Sequence, residues 1–264
     1  MTAGPFVVAH RGASAVRAEH TLPAYERAVA DGAHALECDV RLTRDGQVVC
    51  VHDRTVDRTS NGTGVVSEMS LAELAELDFA SWHGDPAPAG VLTLDRLIEF
   101  TLDQREPLRL FIETKHPVRY GGRIEDAVLA ALSRSGLTNP ASPSHARAVV
   151  MSFAPSAMWR IRRKAPMLPT VLLGSTGSIL GGGAAATVGA TAIGPSVQAL
   201  REDPLLVDRA AAAGRATYCW TVDDPDDMLL CRESGVSWMA TNRPAEARRV
   251  LGGPGADPRP PRES

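Results

Sequence analysis

Four short apolar runs in this 264-residue sequence end in side chains that bind anions, bind cations or move protons. These side chains are His10 and Arg11 after "VVA", Glu37 and Asp39 in "ALECDV", His52 and Asp53 after "VVCV", and Glu113 and Lys115 in "LFIETK". In parallel α/β folds, ligands bind at the carboxyl ends of the strands, so such runs bring their polar ends together. A titratable histidine beside a fixed cation at that place predicts chemistry on an anion.

The part of this pattern that most destabilises a folded chain is the set of carboxylates, Glu37, Asp39 and Glu113. Unpaired carboxylates in apolar strands cost several kcal/mol each, and three that converge repel one another unless a cation lies between them. Taken singly, Glu37 could pair with an arginine, Asp39 could cap a turn, and Glu113 could pair with Lys115. The full set favours a divalent ion, and all-oxygen ligands favour Mg²⁺ or Ca²⁺ over zinc.

The elements that must position these residues are nine strand-like runs, most of them alternating with helical segments. This alternation predicts an α/β fold, a (β/α)₈ barrel with one additional strand. The additional strand is assigned to a hairpin after the second strand, because Asp45-Gly46 in "RLTRDGQ" is a strong turn signal. With these two residues as the loop, Asp39 lies opposite His52, and Cys38 and Cys50 lie on opposite faces, which argues against a disulfide.

The chain is predicted to form a single barrel domain over residues 1–251. Residues 54–107 are too long for a normal strand-to-helix connection and are read as a small insertion over the barrel, with a capping box at 70–73. The glycine-rich segment 174–190 lacks the P-loop pattern and is predicted to be a mobile loop. Residues 252–264 carry little apolar surface and are predicted to be a disordered tail.

The composition limits the classes of partner. A net charge of -3 gives no basic footprint for nucleic acid. No apolar run approaches the roughly 20 residues of a membrane span, and the first residues lack the features of a signal peptide. These features predict a cytoplasmic protein, and its four cysteines, which lack CxxC spacing, are assigned no function.

The segment "AHRGAS…EHTLPAYERAVADGAHALECDVRLTRDGQVVCVHDRTVDRTSNGTG" closely resembles the glycerophosphodiester phosphodiesterase family. The later segments "FIETK", "SF" at 152–153 and "WTVDD" at 220–224 resemble that family in the same order, so the resemblance covers roughly residues 6–245. It is most specific in the first sixty residues, where HRG, ExD and HD recur at the family's spacing. It implies a TIM barrel of the phospholipase C-like phosphodiesterase type.

The resemblance also implies a reaction, the metal-dependent hydrolysis of a glycerophosphodiester, a small-molecule partner, to glycerol 3-phosphate and an alcohol. Position by position it implies an acid and base pair in His10 and His52, ligands of a divalent cation (Mg²⁺ or Ca²⁺) in Glu37, Asp39 and Glu113, phosphate-binding cations in Arg11 and Lys115, and an aromatic residue lining the glycerol end in Trp220. Two positions depart from the family: His20 stands where asparagine is usual, and Asn242 where aspartate is frequent.

Other readings stay open at this point. The same site serves a relative acting on lysophospholipids or one that stops at a cyclic phosphate, and a non-catalytic binder of phosphorylated glycerol ligands is the alternative outside enzymes. The sequence does not decide which histidine is the acid, whether water or a substrate hydroxyl attacks first, which head group is preferred, or the oligomeric state.

Overall fold

The computed structural model describes residues 4–119, 121–174 and 183–252. Its strands are β1 Phe6–His10, β2 Ala35–Leu42, β3 Val48–Cys50, β4 Arg109–Thr114, β5 Ala148–Ser152, β6 Thr170–Gly174, β7 Ala192–Pro195, β8 Ala216–Cys219 and β9 Trp238–Thr241. Its helices are α1 Leu22–Ala30, α2 Leu71–Ala75, α3 Leu94–Leu102, α4 Arg123–Arg134, α5 Pro155–Lys164, α6 Ala184–Thr187, α7 Val197–Glu202, α8 Leu206–Ala212, α9 Pro225–Glu233 and α10 Pro244–Val250.

All strands except β3 run parallel and form a closed ring. The ring closes because β1 pairs with β2 on one side and with β9 on the other. Helices connect successive strands of the ring, and β3 pairs antiparallel with β2 outside it. The predicted (β/α)₈ barrel with a hairpin excursion after the second strand is therefore confirmed.

Side-chain alternation divides the apolar residues into two cores. Inside the ring, a cluster that includes Phe111, Tyr218 and Trp238 fills the barrel. Between the ring and the helices, a larger cluster includes Leu36 and Cys38 of β2. Because successive residues of a strand point to opposite faces, the intervening Glu37 and Asp39 point into the barrel.

The first helix begins as its sequence predicts. The Thr21 side chain accepts a hydrogen bond from the Ala24 amide, and Pro23 lies in the first turn. Gly32 follows the helix with a φ of 79°, the left-handed conformation that ends many helices. This helix packs behind the turn that follows β1, which carries Arg11.

The hairpin register differs from the predicted one by a single residue. Val40 pairs with Cys50 and Leu42 with Val48, so the loop has three residues, 44–46, rather than two. Gly46 takes a φ of 82°, the left-handed position of a three-residue hairpin loop. Asp39 consequently lies opposite Val51, whose amide donates to the Asp39 carbonyl at 3.0 Å, and the predicted pairing with His52 was wrong.

The same register corrects the prediction for the cysteines. Cys38 and Cys50 lie on the same face of the hairpin and belong to the same core cluster. Burial and the neighbouring Cys50 thiol raise the pKa of Cys38, and both are free cysteines in the structure. A one-residue change in register reverses the face to which every side chain of the second strand points, and it therefore brings Cys50 to the same face as Cys38.

The segment predicted as an insertion, 54–107, has two parts. Its first part forms short helical turns and α2 over a small core of its own, which includes Val56, Val66 and Leu74, and α2 begins with the predicted capping box at Ser70 and Glu73. Its second part, α3, packs into the main core between the ring and the helices. α3 therefore serves as a barrel helix.

The remaining predictions fall partly outside the described residues. Of the glycine-rich segment 174–190, residues 175–182 are not described, while 184–187 form α6. The predicted tail begins at 252, and residues 253–264 lie outside the described part. None of the helices within the described ranges is long and apolar enough to cross a bilayer.

Candidate active site

The carboxyl ends of the barrel strands bring all eight predicted site residues together. His10 of β1 pairs in register with Glu37 of β2, and Asp39 of β2 pairs with Glu113 of β4. Seven of the eight line one cavity of about 120 Å³: His10, Arg11, Glu37, His52, Glu113, Lys115 and Trp220. Asp39 lies beneath them, only 1% exposed.

The three carboxylates form a cluster with the geometry of a cation site. One oxygen from each of Glu37, Asp39 and Glu113 lies within 4.8 Å of the others. Burial, together with the charge of Asp39, raises the pKa of Glu37, and the same causes raise the pKa of Glu113 to about 8. A divalent cation would offset this repulsion, and the donors are all oxygen, so the residues fit Mg²⁺ or Ca²⁺.

Asp39 differs from its two neighbours because cations surround it. Burial alone would raise the pKa of Asp39, but the hydrogen bond from His20 and the charges of Arg11 and Lys115 hold it well below its usual range. Arg11 Nε lies 3.0 Å from Oδ2, and Lys115 Nζ lies 3.2 Å from Oδ1. Lys115 Nζ also contacts Glu113 Oε1 at 2.7 Å. Asp39 is therefore the carboxylate of the three whose ionised form the surrounding protein stabilises most.

The turn after β1 aims Arg11 at this cluster. Arg11 has a φ of 58° and Gly12 a φ of 85°. A Cβ at Gly12 would lie 2.7 Å from the backbone of Ala24, so only glycine allows the turn to approach α1. In this turn the Arg11 amide donates to Glu37 Oε2 at 2.9 Å, and Nη1 donates to Glu19 Oε1 at 3.2 Å.

His10 is oriented by residues from the other end of the chain. Its Nδ1 lies 2.8 Å from Asn242 Oδ1. The Asn242 side-chain amide donates to Asp223 Oδ2, which fixes Asn242 Oδ1 as the acceptor toward His10. Nδ1 therefore carries the proton, and Nε2 is the bare nitrogen. Burial and the charge of Arg11 lower the pKa of His10 to about 4, so the ring is neutral near pH 7.

His52 reaches the cavity because the chain bends sharply after β3. Arg41 Nε and Nη2 donate to the His52 carbonyl at 3.0 and 2.8 Å and hold this bend. The ring Nδ1 contacts Asp53 Oδ1 at 2.7 Å, and Asp53 Oδ2 accepts from Arg58 Nε at 2.6 Å. The pKa of His52 is lowered by burial, although the hydrogen bond that Nδ1 donates to Asp53 acts to raise it.

An apolar wall completes the cavity on the side of β5 and β8. Trp220 donates its indole N–H to the Gly194 carbonyl at 2.7 Å, which fixes the ring. Phe153 lies edge-on to Trp220 at 5.2 Å between ring centroids and is 45% exposed. Sequence reasoning noted "SF" at this strand end but did not assign Phe153 to the site.

Several supporting residues were missed or left open by the sequence. His20 has a φ of 60°, contacts Asp39 Oδ2 through Nε2 at 3.1 Å, and contacts the Tyr25 hydroxyl through Nδ1 at 3.0 Å. The departure at position 20 therefore places a histidine directly behind a predicted metal ligand. Asp223 lies in the segment "WTVDD" but was assigned no role, because its role depends on a contact with a residue 19 positions away in sequence.

Comparison with known proteins identifies the family. Residues 10–246 match the model of the Glycerophosphoryl diester phosphodiesterase family. The chain is 57% identical over 253 residues to "Probable glycerophosphodiester phosphodiesterase 1" of Mycobacterium tuberculosis, with 94% of this chain and 92% of that protein covered. It is 31% identical to a glycerophosphodiester phosphodiesterase of Bacillus subtilis, with 93% and 86% covered.

Solved structures share the barrel. A glycerophosphodiester phosphodiesterase from Agrobacterium tumefaciens is similar with a TM-score of 0.76 and 26% identity, over 91% of this chain and 97% of that one. A phosphodiesterase from Oleispira antarctica is similar in fold, with a TM-score of 0.84 and 24% identity over 94% and 96% of the two chains. The resemblance read from the sequence is thus confirmed, and the chain belongs to the glycerophosphoryl diester phosphodiesterase family.

Proposed function

We propose that this protein hydrolyses glycerophosphodiesters to glycerol 3-phosphate and an alcohol, with a divalent cation and two histidines. The observation that carries the proposal is the cavity in which three buried carboxylates, two histidines and two cations converge. The names of the relatives from Mycobacterium tuberculosis and Bacillus subtilis support the same reaction class.

The carboxylates Glu37, Asp39 and Glu113 would hold the cation. When bound, such an ion stabilises the negative charge that develops on the phosphoryl oxygens. Arg11 and Lys115 add charge on the same side, and both are held in place by the carboxylates that they contact. Because these groups are positioned before substrate arrives, little reorganisation is needed as charge develops.

The hydrogen bonds of the two histidines favour different roles. His10 is neutral with a bare Nε2, as a general base requires. His52 is hydrogen-bonded to the carboxylate of Asp53, which stabilises its protonated form. We therefore assign His10 as the base that activates the attacking hydroxyl and His52 as the acid that protonates the leaving alcohol.

The apolar wall of Trp220 and Phe153 supports recognition of the glycerol end, since it offers carbon surface beside the cationic groups. The cavity of about 120 Å³ favours small diesters over long-chain lysolipids. Glycerophosphocholine and glycerophosphoethanolamine are accordingly the expected substrates for a first assay.

The test removes the metal and one of its ligands. Chelation should abolish the hydrolysis of glycerophosphoethanolamine, and addition of Mg²⁺ or Ca²⁺ should restore it. Phosphorus NMR of the products measures the reaction. Glu113→Gln should weaken cation binding, measured by calorimetry, by about tenfold or more. Glu99→Gln, at a carboxylate exposed on α3, is the matched control and should change neither property.

Full activity in chelator, with no metal in the protein by elemental analysis, would remove the cation from the proposal. A cyclic phosphate as the final product would replace hydrolysis by a lyase reaction. Tight binding of glycerol 3-phosphate with no turnover of any diester would favour the non-catalytic alternative.

A further inference from the structure

A second and larger cavity lies at the opposite end of the barrel. It has a volume of about 520 Å³ and is lined by residues at the amino ends of strands β4 to β9. Tyr218 is the one residue that lines both this cavity and the catalytic one in the described part of the chain. The volume is in the range of sites that enclose small organic ligands.

The wall of this cavity toward the barrel interior is aromatic. The ring centroid of Phe111 lies 5.0 Å from that of Tyr218 and 5.1 Å from that of Trp238. Val149 and Val171 lie beside these rings. Such a wall favours the apolar body of a ligand, because covering it removes aromatic and aliphatic surface from water.

Arg109 places a cation in the same cavity without an anion. Its guanidinium lies 4.8 Å from the ring centroid of Trp238, and Nη2 donates to the Ser144 carbonyl at 2.8 Å. No carboxylate among the described residues forms an ion pair with it or shifts its pKa. Burial lowers the pKa of Arg109 to about 10, since no acid offsets the lost hydration.

The charge of the whole lining has one sign. Arg215 is the second cation, and Nε donates to the Ala190 carbonyl at 3.3 Å. No aspartate or glutamate is among the described residues that line the cavity. A half-buried guanidinium with unused donors binds a carboxylate through two parallel hydrogen bonds.

We propose that this cavity binds a carboxylate on an aromatic or alkyl body, with the carboxylate on Arg109 and the body against Phe111 and Trp238. The planar fork of the guanidinium matches a planar carboxylate. A compact phosphate monoester would engage the arginines but leave the aromatic wall uncovered, so a ligand that joins one carboxylate to a carbon body fits this lining better.

The test uses the full chain and defined probes. Titration calorimetry with 4-phenylbutanoate and with dodecanoate, in saturating glycerol 3-phosphate to fill the catalytic cavity, should detect binding. The matched alcohol, 4-phenylbutan-1-ol, should bind at least about tenfold more weakly, as loss of a charged hydrogen-bond partner predicts. Inorganic phosphate should show no binding that depends on Arg109.

Three variants locate the site. Arg109→Met keeps an unbranched apolar stem but removes the charge, and Ala192→Leu fills the cavity from β7. Each should weaken carboxylate binding at least about tenfold. Arg215→Met changes the second cation and should weaken it less. Arg147→Met is the matched control, because Arg147 is also half-buried and bonds only to carbonyls among the described residues, those of Leu108 and Thr101, outside this cavity.

Thermal unfolding of each variant establishes that it folds. The proposal is overturned if neither carboxylate binds the wild-type protein, or if the acid and its alcohol bind equally. It is also overturned if folded Arg109→Met binds as tightly as Arg147→Met.

Discussion

His10 and His34 show how the two ends of one barrel use the same side chain differently. Both have a pKa lowered to about 4, mainly by burial and then by a neighbouring arginine, Arg11 for His10 and Arg248 for His34. His10 lies at the end of β1 and lines the cavity proposed to be catalytic. His34 lies just before β2, where its Nδ1 accepts the Val7 amide at 2.8 Å. A lowered pKa therefore reports burial, and only the groups that converge around the ring indicate catalysis.

The strand β4 shows the same contrast along a single element. Its alternate residues Arg109, Phe111 and Glu113 share a face and lead from a cation, through an aromatic ring, to a carboxylate of the candidate metal site. At the carboxyl end Glu113 contacts the cation of Lys115, whereas at the amino end Arg109 has no ion-pair partner among the described residues. The carboxyl end thus groups charged side chains for the proposed reaction, and the amino end presents apolar surface beside an unpaired cation.

The largest expected effect is on turnover. His10→Ala and His52→Ala should each lower kcat by about 10² to 10⁴, the usual loss for a general acid or base. His34→Ala should leave kcat of the folded protein unchanged but cost about 1 to 3 kcal/mol of unfolding free energy, since it leaves the Val7 amide without its acceptor. Steady-state kinetics and urea unfolding of all three variants measure both properties.

Near-normal turnover in both His10→Ala and His52→Ala would contradict the two-histidine mechanism. A loss of kcat in folded His34→Ala would break the distinction between the two ends.

The second-largest expected effect is on the free energy of unfolding at acidic pH. His34 binds a proton in the unfolded chain near its ordinary pKa of 6.5 but in the folded protein only near 4. Its contribution is therefore complete above pH 6.5 and is lost as the pH falls toward 4, a change of up to about 3 kcal/mol. His34→Gln keeps an acceptor for Val7 but does not titrate, so its urea midpoint should fall less between pH 7 and pH 4.

His145→Gln, at an exposed histidine, is the control and should lose stability in acid as the wild type does. If His34→Gln and His145→Gln lose the same unfolding free energy over this pH range, burial of His34 has no thermodynamic consequence.

The smallest expected effect is a change in the pH profile when Asn242, the hydrogen-bond partner of His10, is replaced. Asn242→Asp places a carboxylate at His10 Nδ1, which stabilises the imidazolium and raises its pKa. Because the proposed base must be neutral, the acidic limb of the kcat/KM profile should move to higher pH, with less than about tenfold loss at neutral pH. The control Asn61→Asp, in the inserted segment, should leave the pH profile unchanged. If the acidic limb of Asn242→Asp has the same pKa as that of the wild type, Asn242 does not orient the proposed base.

The sequence was sufficient to predict the barrel and the convergence of the site. Polar residues at strand ends meet whenever parallel strands close into a ring, so His10, Glu37, Asp39 and Glu113 were placed without knowing their contacts. The predicted hairpin register was wrong, because an Asp-Gly pair is compatible with a two-residue loop and also with a three-residue loop in which Gly46 is left-handed.

Long-range contacts account for the rest. Asp223 and Asn242 act on His10 only after β8, β9 and β1 have assembled. The aromatic cavity is formed by Phe111, Tyr218 and Trp238, which are far apart in sequence and are individually ordinary core residues. No local pattern marks such residues, because their proximity is created by closure of the ring.

Closure of the ring joins the first and the last strand that the ribosome synthesises. β1 leaves the ribosome first and β9 last, yet they are neighbours in the ring. The hydrogen bond that fixes the proton of His10 joins residues 232 positions apart. A nascent chain can carry both histidines and all three carboxylates and still lack the contact that orients the proposed base. On the proposed mechanism, catalytic competence is therefore expected only when the final strand has been translated and docked.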